Sequence, residues 1–303
     1  MNPYVLGPPI EEEQGKGHVI EFNGKRKRDY FWSVYIMLTL YFSGTGNSKY
    51  IAKYFSKIMG CQHYSIEENV DFINLIRTND KIAFCYPIYG SCVPLIMREF
   101  IMKYKSYLNG KKIIIFCTQL LFSGDGARVF TDLLKGISYT VIYAEHFNMP
   151  NNICNFFLFP IESKEKIEKY IINVQHKVDK TCDNIKNGII KKRGFNIFSK
   201  YLGLFCQRFY FHSFEEKAKK DVKITVDCIL CAKCIRICPM KNLKLINNRI
   251  EQNGNCMLCY RCVNMCPKKA ITVFIHSKVK KQYKGIDGCF NYIEEYLSKR
   301  KGD

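Results

Sequence analysis

The stretch Leu38-Thr39-Leu40-Tyr41-Phe42-Ser43-Gly44-Thr45-Gly46-Asn47-Ser48 decides the fold of this 303-residue chain. Residues 36–42 are apolar and strand-like, and in residues 47–59 apolar side chains recur at helical spacing. Between the two runs lie Gly44 and Gly46 with three small hydroxyl residues, Ser43, Thr45 and Ser48. Glycine lets backbone amides approach an anion, a helix N-terminus adds a favourable dipole, and hydroxyls donate to phosphate oxygens. A strand-to-helix turn of this composition reads as a phosphate loop.

Downstream, strand-like and helical patterns alternate. Residues 81–85, 112–117 and 139–144 read as buried strands, and 93–107, 127–134 and 164–185 as helices. This alternation predicts an α/β doubly wound parallel sheet covered on both faces, with ligands beyond the carboxyl ends of its strands.

Three phosphate-binding patterns can be compared with the loop. A dinucleotide fingerprint needs a third Gly where Lys49 stands. A P-loop needs Gly before Lys and Ser or Thr after it, but Ser48 precedes Lys49 and Tyr50 follows. The flavodoxin pattern, Thr/Ser-x-Thr-Gly-x-Thr/Ser, fits as Ser43-x-Thr45-Gly46-x-Ser48. Residues 37–190 therefore resemble a flavodoxin, and the resemblance implies FMN held by Ser43, Gly44, Thr45, Gly46, Asn47 and Ser48. It also implies two loops around the flavin ring. One is Cys85-Tyr86-Pro87-Ile88-Tyr89-Gly90, in which Tyr89 would stack on the ring, Gly90 would offer its carbonyl near the flavin N5, and Pro87 belongs to the cofactor site. The other runs from Thr118 to Gly126. Tyr86 or Tyr89 could equally be packed core aromatics.

The second half carries an internal repeat. Cys228, Cys231, Cys234 and Cys238 precede Pro239, and Cys256, Cys259, Cys262 and Cys266 precede Pro267. Both runs read CxxCxxCxxxCP, with Leu230 matching Leu258 and Lys233 matching Arg261. A cubane cluster needs four thiolates, and two-residue gaps let a tight backbone turn aim three sulfurs at one cube while the fourth reaches the other. One cluster would use Cys228, Cys231, Cys234 and Cys266, and the other Cys256, Cys259, Cys262 and Cys238. Structural zinc usually pairs two CxxC units across a longer loop, unlike this doubled pattern. Residues 221–276, with strand-like 223–226 and 270–274, resemble a bacterial two-[4Fe-4S] ferredoxin domain, a small α+β fold. The whole chain resembles the flavodoxin–ferredoxin fusion proteins of anaerobic bacteria, and the run from His146 to Asn152 looks like a segment of that family.

Lys and Arg number 47 against 27 Asp and Glu, a formal charge of +20. The excess lies mainly in the second half, around the expected iron–sulfur clusters, whose thiolates and the FMN phosphate would bring it to about +14. No helix-turn-helix, zinc-finger or RNA-binding signature accompanies it, so no nucleic acid is expected. A composition rich in Lys, Ile, Asn, Tyr and Phe, as AT-rich genomes favour, accounts for such an excess, and a basic collar for an acidic redox protein partner is the functional reading of it. Residues 1–36 fit no element and read as a disordered leader, or as sequence upstream of a start at Met37. No signal peptide is visible, so the chain reads as cytoplasmic, with reduced thiols. The other eight cysteines, Cys61, Cys85, Cys92, Cys117, Cys154, Cys182, Cys206 and Cys289, read as mostly small apolar core residues.

Residues 191–220 form an aromatic, basic linker. Eight aromatics fall within residues 195–214, beside Lys191, Lys192, Arg193, Lys200 and Arg208. They are expected to pack as an interdomain seam, and membrane surface contact is not expected. Residues 277–303 are expected to be a helical tail.

These features predict an electron-transfer protein coupling FMN to two [4Fe-4S] clusters. The alternatives are a flavin-dependent reductase fed by the clusters, and an iron–sulfur binding module whose flavodoxin-like domain lacks FMN. A reductase needs an open pocket over the flavin ring, so an aromatic cap there would favour the carrier. No Ser-His-Asp or paired-carboxylate constellation marks a catalytic residue.

Overall fold

The computed structural model describes residues 37–122, 124–156 and 158–286. The expected leader and residues 287–303 of the tail, Cys289 included, lie outside the described residues. Six strands form one parallel sheet: β1 (Met37–Tyr41), β2 (Gln62–Ser65), β3 (Lys81–Pro87), β4 (Lys111–Gln119), β5 (Tyr139–Asn148) and β6 (Lys191–Lys192). Their order is β2-β1-β3-β4-β5-β6. The first five follow the flavodoxin-like doubly wound order.

Side chains alternate across each strand, so both faces of the sheet are core. Leu38, Leu40 and Phe42 pack on one side with Phe84, Ile113, Ile115 and Phe130. Met37 and Tyr41 pack on the other side with Phe55, Phe116, Val178 and Cys182. Helices α1 (Asn47–Met59) and α5 (Lys164–Lys186) cover the second face. Helices α3 (Leu95–Tyr104) and α4 (Gly126–Asp132) cover the first, and the short α2 (Phe72–Arg77) adds Phe72 and Ile76 to the same cluster.

The boundaries depart from expectation in particular places. β3 runs on to Pro87, so Cys85 and Tyr86 are strand residues and Tyr86 is fully buried core. β6 falls in the stretch expected as linker. It pairs with Tyr143 and Ala144 at the sheet edge, which places the last strand beyond residue 190.

After α6 (Ile197–Gly203), a π-turn (Leu204–Arg208) and α7 (Phe209–Lys219), the chain enters a small module. Strands β7 (Val222–Ile224) and β10 (Ile271–Val273) pair antiparallel, and β8 (Leu243–Ile246) and β9 (Arg249–Gln252) form a hairpin. The short helices α8 (Lys233–Ile237) and α9 (Arg261–Met265) are 28 residues apart, as are the two cysteine runs. Leu230, Ala232 and Lys241 have positive φ, and so do their counterparts Leu258, Tyr260 and Lys269. The repeat in sequence is thus a repeat in backbone conformation.

Residues 277–286 carry no helix. Their side chains anchor separately instead: Val279 packs in the cysteine module, and Tyr283 and Ile286 pack against the sheet domain. This segment is an extended strap across the two.

Candidate functional site

A cavity of about 260 Å³ opens at the carboxyl ends of the strands. Of the residues expected to hold a cofactor, Ser43, Gly44, Thr45, Asn47, Ser48, Pro87, Tyr89, Gly90 and Thr118 line it, and Gly46 does not. The Gly46 amide turns onto Ser43 Oγ (3.1 Å), and its φ of 106° caps α1 in the left-handed region. Gly44 is required by packing: a Cβ there would lie 2.5 Å from the Cys259 carbonyl oxygen. Asn47 is structural as well. Its Nδ2 donates to the Pro150 carbonyl (3.0 Å), and its Oδ1 accepts from the Tyr283 hydroxyl (2.6 Å).

The hydroxyls keep donors in hand. Ser43 Oγ accepts from Gly46, and Thr45 Oγ1 accepts from Asn152 Nδ2 (2.9 Å), so each retains its own proton. Ser48 Oγ and Thr118 Oγ1 share one bond at 2.7 Å, which leaves one proton of that pair to donate. With the N-terminus of the 13-residue α1, these groups suit an anion.

Gly90 and Ser91, with φ of 54° and 59°, turn a tight bend closed by paired bonds between Tyr89 and Cys92. A Cβ on Gly90 would meet the Phe211 ring at 2.3 Å, so α7 sits directly on this bend. The Tyr89 hydroxyl and Gln119 Oε1 are buried without a partner among the described residues, and both residues line the cavity. Burial pushes the Tyr89 phenol well above its ordinary pKa, and the Cys259 thiol nearby adds to the shift. The hydroxyl therefore points toward Cys259 and Arg261, and the Tyr89 side chain lines the cavity.

Apart from Gln119, which falls in the expected Thr118 to Gly126 loop, the remaining walls were not assigned from sequence. Gln119 ends β4, Met149, Asn151 and Asn152 follow β5, and Phe211, Phe214, Tyr260 and Phe274 come from α7 and the cysteine module. Phe214 and Phe274 meet edge to face at 5.3 Å. The run from His146 to Asn152, noted in sequence without a role, ties Thr45 and Asn47 in place.

The eight repeat cysteines form two sets of four. Cys228, Cys231, Cys234 and Cys266 line one small cavity, and Cys238, Cys256, Cys259 and Cys262 line another. Backbone amides of Asn242 and Ala270 donate to Cys238 Sγ and Cys266 Sγ, each at 3.3 Å. Among the described residues no three ligating side chains converge tightly enough for a single metal ion. Four thiols around a cavity fit a multi-iron cube better than one zinc. Burial pushes the Cys256 thiol up to about 11 and the Cys259 thiol up to about 12.

The two sites touch. Tyr260 lines both the large cavity and the second cysteine cavity. Arg261, between Cys259 and Cys262, donates from Nε to the Gly44 carbonyl (3.0 Å) and from Nη2 to the Ser43 carbonyl (2.8 Å). Its guanidinium also grips Glu67 through two bonds, at 2.8 and 2.7 Å.

Of the other cysteines, Cys85, Cys117, Cys154 and Cys182 are buried as expected, whereas Cys206 is exposed on the linker. The aromatic linker is a seam on one side only. Phe211 packs inward and Phe214 lines the cavity while staying partly exposed, and Ile197, Phe198, Tyr201, Phe205 and Phe209 remain exposed.

A family model described as a flavodoxin domain matches residues 38–153. The domain formed by the six-stranded sheet is flavodoxin-like. Similar solved structures include a flavodoxin from the domain Archaea, 14% identical with a TM-score of 0.32, covering 47% of this chain and 98% of its own. Two-electron reduced flavodoxin from Megasphaera elsdenii is 18% identical with a TM-score of 0.34, covering 46% and 98%. A flavoprotein in complex with FMN from Lactobacillus acidophilus is 14% identical with a TM-score of 0.30, covering 36% and 91%. No curated protein matches the chain. Among the described residues, no helix is long and apolar enough to cross a membrane.

Proposed function

We propose that this chain is a cytoplasmic electron-transfer protein that couples FMN in the large cavity to two [4Fe-4S] clusters in a ferredoxin-like module. The observation that carries this reading is the shared wall: Tyr260 borders both cavities, and Gly44 of the phosphate loop lies against Cys259. Electrons cross proteins only over short gaps, and this contact leaves no intervening layer. When bound, FMN exchanges one or two electrons and each cubane exchanges one, so the pair links two-electron to one-electron chemistry.

The chain's own residues supply position and electrostatics. Ser43, Thr45 and the Ser48–Thr118 pair present hydroxyl protons to the phosphate. Tyr89, Gly90 and Gln119 line the part of the cavity where the ring would lie. Phe211, Phe214 and Phe274 wall the cavity with rings. This aromatic cover favours a carrier over a reductase, which would need room for a substrate on the flavin. The basic surface of the module suits an acidic redox protein.

Anaerobically purified protein tests the assignment. Iron of about eight per chain, with FMN released on denaturation, is expected. Zinc in place of iron would defeat the cluster half, and absence of flavin peaks would defeat the FMN half.

A further inference from the structure

Helix α6 has two unlike faces. A Cβ on Gly203 would lie 2.0 Å from the Asp125 carboxylate, and Arg208 also pairs with Asp125. The π-turn between them spaces these inward positions five residues apart. On the outer face of α6 Ile197, Phe198 and Tyr201 are 74, 75 and 56% exposed, and Phe205 of the π-turn beside them is 61% exposed. Their spacing is that of one helical stripe. The Tyr201 and Phe205 rings stack at 6.1 Å and form a flat plate. Leu121, three residues from the Gly124 contact with α6, is exposed as well. An apolar face of this kind marks an interaction surface.

The chain around it carries mostly positive charge. Residues 184–214 hold six Lys and Arg and no Asp or Glu. Lys191, Lys192, Arg193 and Lys200 are exposed. Gly194 and Ser199 both abut Gly124, so the basic run and α6 share one edge. Glu145 answers Lys191, Arg193 and Lys177, and Asp125 answers Arg208, whereas Lys192 and Lys200 have no acidic partner among the described residues, so the edge stays net positive.

We infer that this face docks the protein on an anionic lipid surface, with the α6 side chains at headgroup depth and the lysines on lipid phosphates. Exposed aromatics beside a cationic flank are the pattern of a helix that lies in the interface. An acidic protein would answer the cations but leave the flat apolar stripe without a partner. A second copy would bring two positive edges together. This reverses the sequence-based expectation of no membrane contact, and it does not depend on which cofactors the cavities hold.

The test is co-sedimentation of the full-length protein with phosphatidylcholine vesicles, alone or with about one third phosphatidylserine. Binding is expected only with phosphatidylserine and should weaken as salt rises. Phe198→Asp combined with Phe205→Asp should reduce it by about tenfold or more. Lys192→Glu with Lys200→Glu, which leaves the apolar stripe intact, should do the same and decides the matter should the first variant not fold. Wild-type protein that ignores phosphatidylserine would overturn the inference, as would folded variants that bind like wild type. A dimer that the phenylalanine substitutions dissociate, without vesicle binding, would assign the face to a second copy and also overturn it.

Discussion

At the scale of single residues, Arg261 has the most connections. Its position in the sequence repeat matches Lys233, yet only Arg261 reaches across to the flavodoxin-like domain. It occupies the Ser43 and Gly44 carbonyls, and the hydroxyls of the same loop line the cavity. Arg261→Gln cannot hold Glu67 and two carbonyls at once. It should cost about 1–3 kcal/mol of stability and loosen FMN, seen as a lower thermal midpoint and flavin lost on gel filtration. The two loop glycines separate by cause. Gly44→Ala forces a Cβ to within 2.5 Å of the backbone at Cys259, whereas at Gly46 the nearest atom is 3.7 Å away and only the φ of 106° resists. Gly44→Ala should therefore perturb both the flavin spectrum and the iron content. Gly46→Ala should cost about 1 kcal/mol of stability and spare the iron. Equal iron loss in the two variants would contradict the packing role of Gly44.

At the scale of elements, the β5–β6 edge controls acid stability. Burial, helped by Arg193, pushes His146 down to about 4, so the native state keeps it neutral. The unfolded chain protonates it near 6.5, so its contribution is present above that pH and is lost as pH falls from 6.5 to 4, by about 3 kcal/mol at most. Burial alone would raise Glu145, but Lys191 and Lys177 outweigh it and hold the carboxyl at about 2. Its contribution is lost below 4.5, in the same direction. Urea midpoints at pH 6.5 and 4.5 should fall for wild type and fall less for His146→Gln; parallel falls would reject the role of His146. The same edge shows what sequence could and could not reveal. Helix α1 is legible to the residue because glycine punctuation and apolar spacing are local signals. β2 reads Gln-His-Tyr-Ser, half-exposed at the far edge, and β6 is two lysines held only by pairing with β5, so neither has an apolar run to announce it. The glycine turn before α1 and the grouping of the repeat cysteines around two cavities were legible for the same local reason. The walls formed by Asn151, Asn152, Phe211 and Tyr260 were not, because they meet only after the chain folds back on itself.

At the scale of the whole molecule, the cysteine sets are placed in series. The set of Cys228, Cys231, Cys234 and Cys266 lies on the open side: Cys231, Ile229 and Leu230 are exposed. The set containing Cys259 is buried against the phosphate loop, with Met257 and Cys259 counted in the hydrophobic core of the sheet domain. A protein donor can approach the first set closely, whereas the large cavity is walled by α7 and the module. The two sets should therefore fail differently. Cys231→Ser should keep the flavin and the inner iron, about four atoms per chain, and still let a small chemical reductant bleach the flavin. It should slow flavin reduction by a one-electron protein donor, read by stopped-flow absorbance. Cys259→Ser should disturb iron and flavin together, because its backbone packs on Gly44. If Cys231→Ser left the protein-donor rate unchanged, electrons would have to enter by another face, and the order from open set to buried set to cavity would be wrong.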